Sequence, residues 1–276
     1  MFKTLSKGSA RGPAAVAALV VGFTIANVSA AIALPQFTWN PAAVGLNGTS
    51  FIADNLVVTD FSTVVLTPFG TGANFTDKGT LGVVGLQIGP SPVNGTGLNA
   101  ASGFGLYFNF TATGFQNTPT FTTGTSGAFQ TLSFSLFGYN DTGPVSYLPS
   151  DVTPTGVSGQ ILLATGNLIA GSVGENTLFG VAIPNAQAAL TFAPTPAGLP
   201  FFVNPSPFYN VALAAFTNTL SQVAVAPGGA SFVISNGGGA VNFLRVPVPE
   251  PGSLALLGAG LVSFGLVRLK RRRGSA

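Results

Sequence analysis

Alternation of apolar and small polar residues with a period of two is the sequence feature that most constrains this fold. In the segment 104–110, Phe and Leu occupy every second position, with Gly, Tyr and Asn between them. The segment 131–136 repeats the pattern with Leu and Phe against Thr and Ser. Side chains two positions apart share one face of a strand, whereas a helix would spread them around its axis. The pattern therefore predicts strands with one buried face.

Further strands are predicted where β-branched and aromatic residues run between turn residues. These segments are 50–52, 55–59, 63–67, 82–88, 159–164 and 177–182. Near the end, segments 231–234 and 241–246 flank Asn236-Gly237-Gly238-Gly239, which predicts a β-hairpin because Asn and Gly accept positive φ. The segment 211–225 permits either helix or strand, and the Pro-rich stretches 143–154 and 194–207 are expected to be loops.

Many short strands separated by turn residues favour an all-β domain, an antiparallel β-sandwich, over residues 34–246. No long stretch shows the 3.6-residue period of a helix with a charged face. Outer-membrane proteins that cross the bilayer with strands alternate in the same way. The short predicted strands, the low Tyr and Trp content and the C-terminal tail argue against that alternative.

The charges are concentrated at the two ends of the chain. Only 6% of the residues are charged, and 46% are hydrophobic. Residues 34–248 hold two basic and six acidic side chains, which gives this part a formal charge of −4 although the whole chain carries +3. A nucleic-acid partner is not expected, because the body lacks a basic patch that would meet phosphates.

The N-terminus has the three parts of a secretory signal peptide, which we assign to residues 1–33. Lys3, Lys7 and Arg11 precede an apolar run that we expect to form a short signal helix. Small residues follow, and cleavage is expected after Ala30 or Ala33. The alternative, an uncleaved anchor, is disfavoured because the apolar run is shorter than the ~20 residues that span a membrane.

The C-terminus combines a rigid tripeptide, an apolar run and a basic cluster. Pro249 and Pro251 flank Glu250 and keep this peptide extended. An apolar run follows, and we predict a transmembrane helix over residues 252–269 with its basic end in the cytoplasm. The basic cluster comprises Arg268, Lys270, Arg271, Arg272 and Arg273.

This arrangement over residues 247–273 resembles the PEP-CTERM sorting signal. The resemblance implies processing by exosortase, a transpeptidase-like membrane protease of Gram-negative bacteria that make exopolysaccharide or biofilm. It also implies transient anchoring in the inner membrane, followed by release to the cell envelope or the extracellular matrix. A permanent single-pass anchor is the alternative. The body is also similar to flocculation-associated PEP-CTERM proteins in the segments 51–54, 208–218 and 242–243.

Catalytic chemistry is restricted because the chain contains neither His nor Cys. Ser-His-Asp triads, thiol catalysis and Cys/His zinc sites are therefore excluded. Lys78 is interpreted as part of a solvated turn, and Asp60 as a turn or strand-end residue. Calcium accepts carboxylate and carbonyl oxygens, with sources at 140–141 and 54–55, but no EF-hand loop is present. We assign no catalytic residue, metal or cofactor, and we expect no enzyme.

The remaining features predict a structural or adhesive protein of an exopolysaccharide matrix, acting in biofilm or floc formation. Thr, Ser and Asn can hydrogen-bond polysaccharide without charge, and sheet edges can support self-association. Two alternatives stay open. A row of exposed Trp or Tyr would indicate a soluble carbohydrate-binding module, and a cleft with two carboxylates would indicate a polysaccharide-modifying hydrolase.

Overall fold

A computed structural model describes residues 34–140, 145–149 and 153–245. The predicted signal peptide 1–33, the predicted transmembrane helix 252–269 and the whole sorting tail lie outside the described residues. Within the described ranges, no helix has the length and apolarity needed to cross a bilayer.

The described residues form fourteen strands and four short 3-10 helices. The strands are β1 Phe37–Trp39, β2 Phe51–Ala53, β3 Asn55–Phe69, β4 Gly72–Ile88, β5 Ser91–Pro92, β6 Phe104–Gln116, β7 Ser126–Asn140, β8 Ile161–Leu178, β9 Val181–Thr191, β10 Ala193–Pro194, β11 Phe202–Asn204, β12 Val211–Thr217, β13 Val223–Val225 and β14 Ser231–Leu244. The 3-10 helices are Pro41–Val44, Leu199–Phe201, Leu220–Gln222 and Pro227–Gly229.

Eight of these strands form one closed sheet. Its order is β8, β7, β6, β4, β3, β14, β12 and β9, and β9 pairs again with β8. Every neighbouring pair is antiparallel, so the predicted antiparallel all-β class is confirmed. Side chains from opposite walls meet in one apolar core, as in a sandwich. Because hydrogen-bonded strands connect the two walls on both sides, few strand edges remain open for pairing with other chains.

The alternation seen in the sequence sets which side chains enter this core. On β6, Phe104, Leu106 and Phe108 point inward and are at most 3% exposed. On β3, every second residue from Leu56 to Leu66 is buried. The predicted strands 55–59 and 63–67 are therefore parts of one strand, because the period of two continues unbroken through Asp60 and Ser62.

The predicted hairpin around Asn236 is wrong. Residues 231–244 form one strand, which pairs along its length with β3 and over its second half with β12. Asn236 does adopt a positive φ of 62°, but the result is a bulge at a shift in the β14–β3 register. The glycines that follow remain in the sheet, and Gly239 leaves space for the Phe216 ring.

The predicted strand 177–182 is also wrong, because this segment contains a turn. Strand β8 ends at Leu178, and Phe179 and Gly180 connect it to β9 with φ values of 50° and 78°. Phe179 is 90% exposed at the tip of this hairpin. Local propensity favours a strand here, but the pairing of Leu178 with Val181 requires a two-residue turn.

One end of the closed sheet, which we call the cap end, is covered by a small sheet of β11, β1 and β2. An aromatic cluster fills the space beneath it, and Trp39 is fully buried with ring-centroid distances of 4.9 Å to Phe201 and 5.7 Å to Phe243. Phe37 also packs edge-on against Phe243 at 5.2 Å. The first described strand and the last one therefore meet at the cap end.

The opposite end, which we call the distal end, contains a second and smaller apolar cluster. It comprises Val64, Leu66, Ala73, Phe75, Phe232 and Ile234. The connection between β6 and β7 folds over it, and the Phe121 ring lies 4.7 Å from that of Phe232. Hydroxyl contacts hold this connection, including one of 2.8 Å between Thr118 and Thr125. The interior thus has an apolar cluster at each end.

Candidate functional site

A pair of acidic residues, Asp60 on β3 and Asp77 on β4, lies inside the closed sheet. Both follow the inward period of their strands, since Asp60 lies between Val58 and Ser62, and Asp77 follows Phe75 at a spacing of two. We call these two residues the acidic pair. They line the space between the main core and the distal cluster.

The hydroxyl of Ser62 connects the two carboxyl groups. Ser62 Oγ donates to Asp60 Oδ2 at 3.3 Å, and the same hydroxyl also contacts the carboxyl of Asp77. Asp60 is only 6% exposed. Among the described residues, neither Asp60 Oδ1 nor Asp77 Oδ1 has a hydrogen-bond partner, and both atoms are buried. Burying a carboxylate oxygen without a hydrogen-bond partner costs free energy. The groups around these oxygens therefore determine whether they hold a proton or another ligand.

Two glycines and the side-chain amide of Asn218 lie next to the acidic pair and Ser62. Gly79 lies opposite Ser62, and a Cβ at residue 79 would collide with the Ser62 side chain and with the Phe61 carbonyl. Gly237 lies opposite Asp60, where a Cβ would collide with Asn218 Oδ1. Asn218 Nδ2 donates to the Pro184 carbonyl at 2.8 Å, while Asn218 Oδ1 is buried without a partner in the described part of the chain.

Burial raises the pKa of both carboxyl groups. The pKa of Asp60 rises from 3.8 to about 7, because loss of hydration outweighs the hydrogen bond from Ser62. Burial likewise raises the pKa of Asp77 well above its usual range, and the nearby charge of Asp60 raises it further. The basic residues of the described ranges, Lys78 and Arg245, are exposed and do not enter this interior. The acidic pair therefore keeps at least one proton near pH 7 unless a bound cation takes the place of that proton.

A cavity of about 100 Å³ adjoins the acidic pair. Its walls are mainly aromatic and aliphatic, and the polar groups at its surface include Asp60, Asp77 and Asn218. A volume of this size holds about three water molecules at ~30 Å³ each. It is smaller than the roughly 300 Å³ at which small-molecule pockets begin. The site can bind a proton, water or a small ion.

None of the site residues assigned from the sequence is among the described residues. Pro249, Glu250, Pro251 and the basic cluster from Arg268 to Arg273 lie outside the described residues, as do Ala30 and Ala33. These assignments remain predictions.

The calcium sources proposed from the sequence have other roles in the structure. Asn140 Oδ1 accepts the Asn47 backbone N–H at 2.7 Å, and Asp54 Oδ2 accepts the Gly89 N–H at 2.7 Å. Asp141 lies outside the described residues.

The acidic pair itself was missed by sequence reasoning. Asp60 was assigned to a turn or strand end, but it lies within β3. Lys78 was assigned to a solvated turn, but it lies within β4, where it is exposed and its neighbour Asp77 is not. A usable signal exists, since Asp60 falls on the same alternation as Leu56, Val58 and the inward residues that follow. Period-two counting through the charged residue would have placed it inside.

Comparison with known protein families finds a match at the C-terminal end of the chain. Residues 247–273 match the family model of the PEP-CTERM protein-sorting motif. The motif implies an exported protein that exosortase processes. No curated protein matches the chain, and no solved structure matches it either.

Proposed function

We propose that this exported PEP-CTERM protein is a structural or adhesive component of an exopolysaccharide matrix, with a role in biofilm or floc formation, and that it is not an enzyme. The sorting motif supports delivery beyond the inner membrane. The proposal on the body depends mainly on one observation, a neutral surface of hydroxyl and amide groups on the outer wall of the closed sheet.

This surface, which we call the hydroxyl patch, is built by outward residues of β6, β7 and β8. Its members are Asn109, Thr111, Thr113, Thr131, Ser133, Ser135, Thr165 and Asn167. Antiparallel pairing places Thr111 opposite Ser133 and Thr113 opposite Thr131, whose hydroxyls lie 2.7 Å apart. Thr111, Thr131, Ser133 and Asn167 are exposed. Such a ladder offers hydrogen-bond donors and acceptors at the spacing of a rigid sheet.

The patch suits a neutral or weakly charged polysaccharide. Hydroxyl and amide groups exchange hydrogen bonds with sugar hydroxyls, and the rigid backbone beneath them lowers the entropy lost on binding. Each single contact is weak, so we expect affinity to come from many contacts along a long polymer. A matrix protein with many weak contacts gives cohesion without needing a deep pocket.

The two alternative functions have less structural support. In the described ranges, Trp39, Tyr107 and Tyr139 are buried, while Tyr147 and Tyr209 are partly buried. These residues do not form the exposed aromatic row expected of a stacking carbohydrate-binding module. Asp60 and Asp77 are two neighbouring acids, as a hydrolase requires, but they adjoin an interior cavity of about 100 Å³ rather than a cleft that admits a sugar chain.

Binding to the host polysaccharide tests the proposal directly. In the triple variant Thr111→Val, Thr131→Val and Ser133→Ala, the patch loses three exposed hydroxyls, while valine preserves strand propensity. We expect the purified full-length protein to co-sediment with the polysaccharide and the variant to lose at least about tenfold in affinity, the equivalent of ~1.4 kcal/mol.

The matched control carries Thr67→Val, Thr217→Val and Ser235→Ala, which removes exposed hydroxyls from β3, β12 and β14 instead. This control should bind as the unmodified protein does. The proposal is wrong if the unmodified protein does not bind, or if both triple variants bind equally well. Release of reducing sugars from the polysaccharide would contradict the non-enzymatic assignment.

A further inference from the structure

We propose that the acidic pair is a binding site for one hard divalent cation, calcium or magnesium, inside the closed sheet. The site would use Asp60 Oδ1, Asp77 Oδ1 and the Ser62 hydroxyl as protein ligands, with water completing the coordination. This inference is independent of polysaccharide binding, since it concerns the interior and not the outer wall.

The first argument is the set of unpartnered oxygens. Asp60 is 6% exposed and lines the cavity, and its Oδ1 has no hydrogen-bond donor among the described residues. Asp77 Oδ1 is in the same situation. Two carboxylates in an apolar interior need either protons or a cation, because an unpaired buried charge costs several kcal/mol. Neither Lys78 nor Arg245 supplies that charge, since both are exposed.

The second argument is the arrangement around Ser62. The Ser62 hydroxyl lies 3.3 Å from Asp60 Oδ2 and also contacts the Asp77 carboxyl, so the two acids flank it. Oxygens on opposite sides of a calcium ion lie about 5 Å apart, at twice the usual 2.3–2.6 Å bond length. One cation between the two carboxylates would contact both of them and the Ser62 hydroxyl.

The third argument is the available volume. The cavity of about 100 Å³ accommodates roughly three waters, which together with three protein oxygens gives about six ligands. Six is the number that magnesium requires and the lower limit for calcium. Asn218 Oδ1, also buried and without a partner in the described chain, is placed to accept a hydrogen bond from a metal-bound water.

The chemistry of the walls indicates weak binding. The groups that enclose the cavity from β6, β7, β9, β12 and β14 are apolar or neutral, among them Phe108, Phe134 and Gln116. Asp60 and Asp77 are therefore the charged groups that would balance the cation. We expect dissociation constants near 10⁻⁴–10⁻³ M, as in extracellular calcium modules.

The test is a titration of the purified full-length protein with calcium and, separately, with magnesium. Calorimetry and thermal melting should show one saturable ion per chain and a rise in Tm. Asp60→Asn together with Asp77→Asn should abolish the binding and the rise in Tm. Asp54→Asn is the matched control, since Asp54 is a buried acid whose carboxylate accepts the Gly89 N–H outside this cavity.

The variants also separate loss of the site from loss of the fold. The double variant replaces buried acids by neutral side chains of the same size, so we expect it to fold and to melt at least as high as the metal-free protein. The site is supported if either ion binds to the unmodified protein and to Asp54→Asn but not to the double variant. Absence of saturable binding of both ions up to ~10 mM overturns it. Unchanged binding in the double variant overturns it as well.

Discussion

At the scale of single residues, the acidic pair is the main departure from an otherwise apolar interior. Most inward positions of β3 and β4 hold aliphatic, aromatic or glycine residues, and Asp60 and Asp77 interrupt that series. A carboxyl group there is tolerated when it is protonated or paired, because its charged form loses hydration. The residues that surround it, Ser62 and Gly79, provide one hydrogen bond and the space for it.

The raised pKa of Asp60 predicts how stability depends on pH. The folded state holds the proton up to about pH 7, whereas the unfolded chain releases it near 3.8. The protonated Asp60 carboxyl therefore makes its full contribution to the free energy of unfolding below pH 3.8, and this contribution is lost as the pH rises to about 7. A shift of this size corresponds to roughly 4 kcal/mol, at about 1.4 kcal/mol per pKa unit. Asp77 extends the loss in the same direction.

Thermal melting in the presence of a chelator checks this prediction. The unmodified protein should have a lower Tm at pH 8 than at pH 5, and Asp60→Asn with Asp77→Asn should flatten that difference and raise the Tm at pH 8. A Tm that rises from pH 5 to pH 8 in the unmodified protein would show that the acidic pair does not control stability.

At the scale of elements, strand β14 shows how packing overrides a turn signal. Gly237, Gly238 and Gly239 follow Asn236 in a pattern typical of a hairpin, yet they remain in the sheet. Gly237 faces the interior, and Gly238 lies within the sheet because it pairs with both Thr59 and Thr217. The glycines serve close approach of Asn218 and Phe216 instead of chain reversal.

A pair of alanine substitutions tests this interpretation. A Cβ at residue 237 would meet Asn218 Oδ1, Ile234 Cγ2 at 2.7 Å and Asp60 Cβ at 3.2 Å, so Gly237→Ala should destabilise by about 1–3 kcal/mol. At Gly238 the nearest atom is the Thr217 carbonyl oxygen at 3.4 Å, an ordinary contact. Gly238→Ala should be neutral or should stabilise slightly, because alanine loses less backbone entropy.

Urea unfolding of both variants measures the difference. The free energy of unfolding should fall for Gly237→Ala and stay within about 0.5 kcal/mol of the unmodified value, or rise, for Gly238→Ala. Equal destabilisation by both substitutions would indicate that the segment needs glycine for its backbone, as a hairpin would.

At the scale of the whole molecule, both ends of the described chain leave from the cap end. Phe37 on the first strand packs against Phe243 on the last, and the Tyr209 hydroxyl donates to the Gln36 carbonyl at 2.8 Å. The sorting motif begins at residue 247, two residues beyond Arg245. Because the closed sheet and its cap are formed by residues before that point, we expect folding to be independent of the tail.

Removal of residues 249–276 tests this division of roles. The truncated protein should melt within about 1 °C of the full-length protein, since no described contact is lost. Cell fractionation should show that it no longer follows the route of the full-length protein, and cells that express it should lose floc cohesion. Glu250→Gln is a smaller change in the same motif for comparison. A large fall in Tm on truncation would show that the tail contributes to the fold.

Much of the local structure could be predicted from the sequence, because neighbours two positions apart encode it. The inward faces of β6 and β7 follow directly from segments 104–110 and 131–136. The hairpin prediction at Asn236 was wrong because pairing with the distant strand β3 keeps this segment in the sheet. The strand prediction at 177–182 was wrong because Phe179 and Gly180 form the turn of a local hairpin between β8 and β9. The acidic pair was missed because turn propensity was given more weight for Asp than the period of two.

The sequence by itself determined the all-β class, the charge-poor body and the sorting motif at residues 247–273, because each depends on residue types and on spacing along the chain. Only the tertiary structure decided that β14 pairs with β3 to close the sheet, and that Asp60 and Asp77 meet around Ser62 inside it. The reason is physical. Strand pairing and burial depend on hydrogen bonds and contacts between segments far apart in the chain, and local patterning does not specify which segments meet.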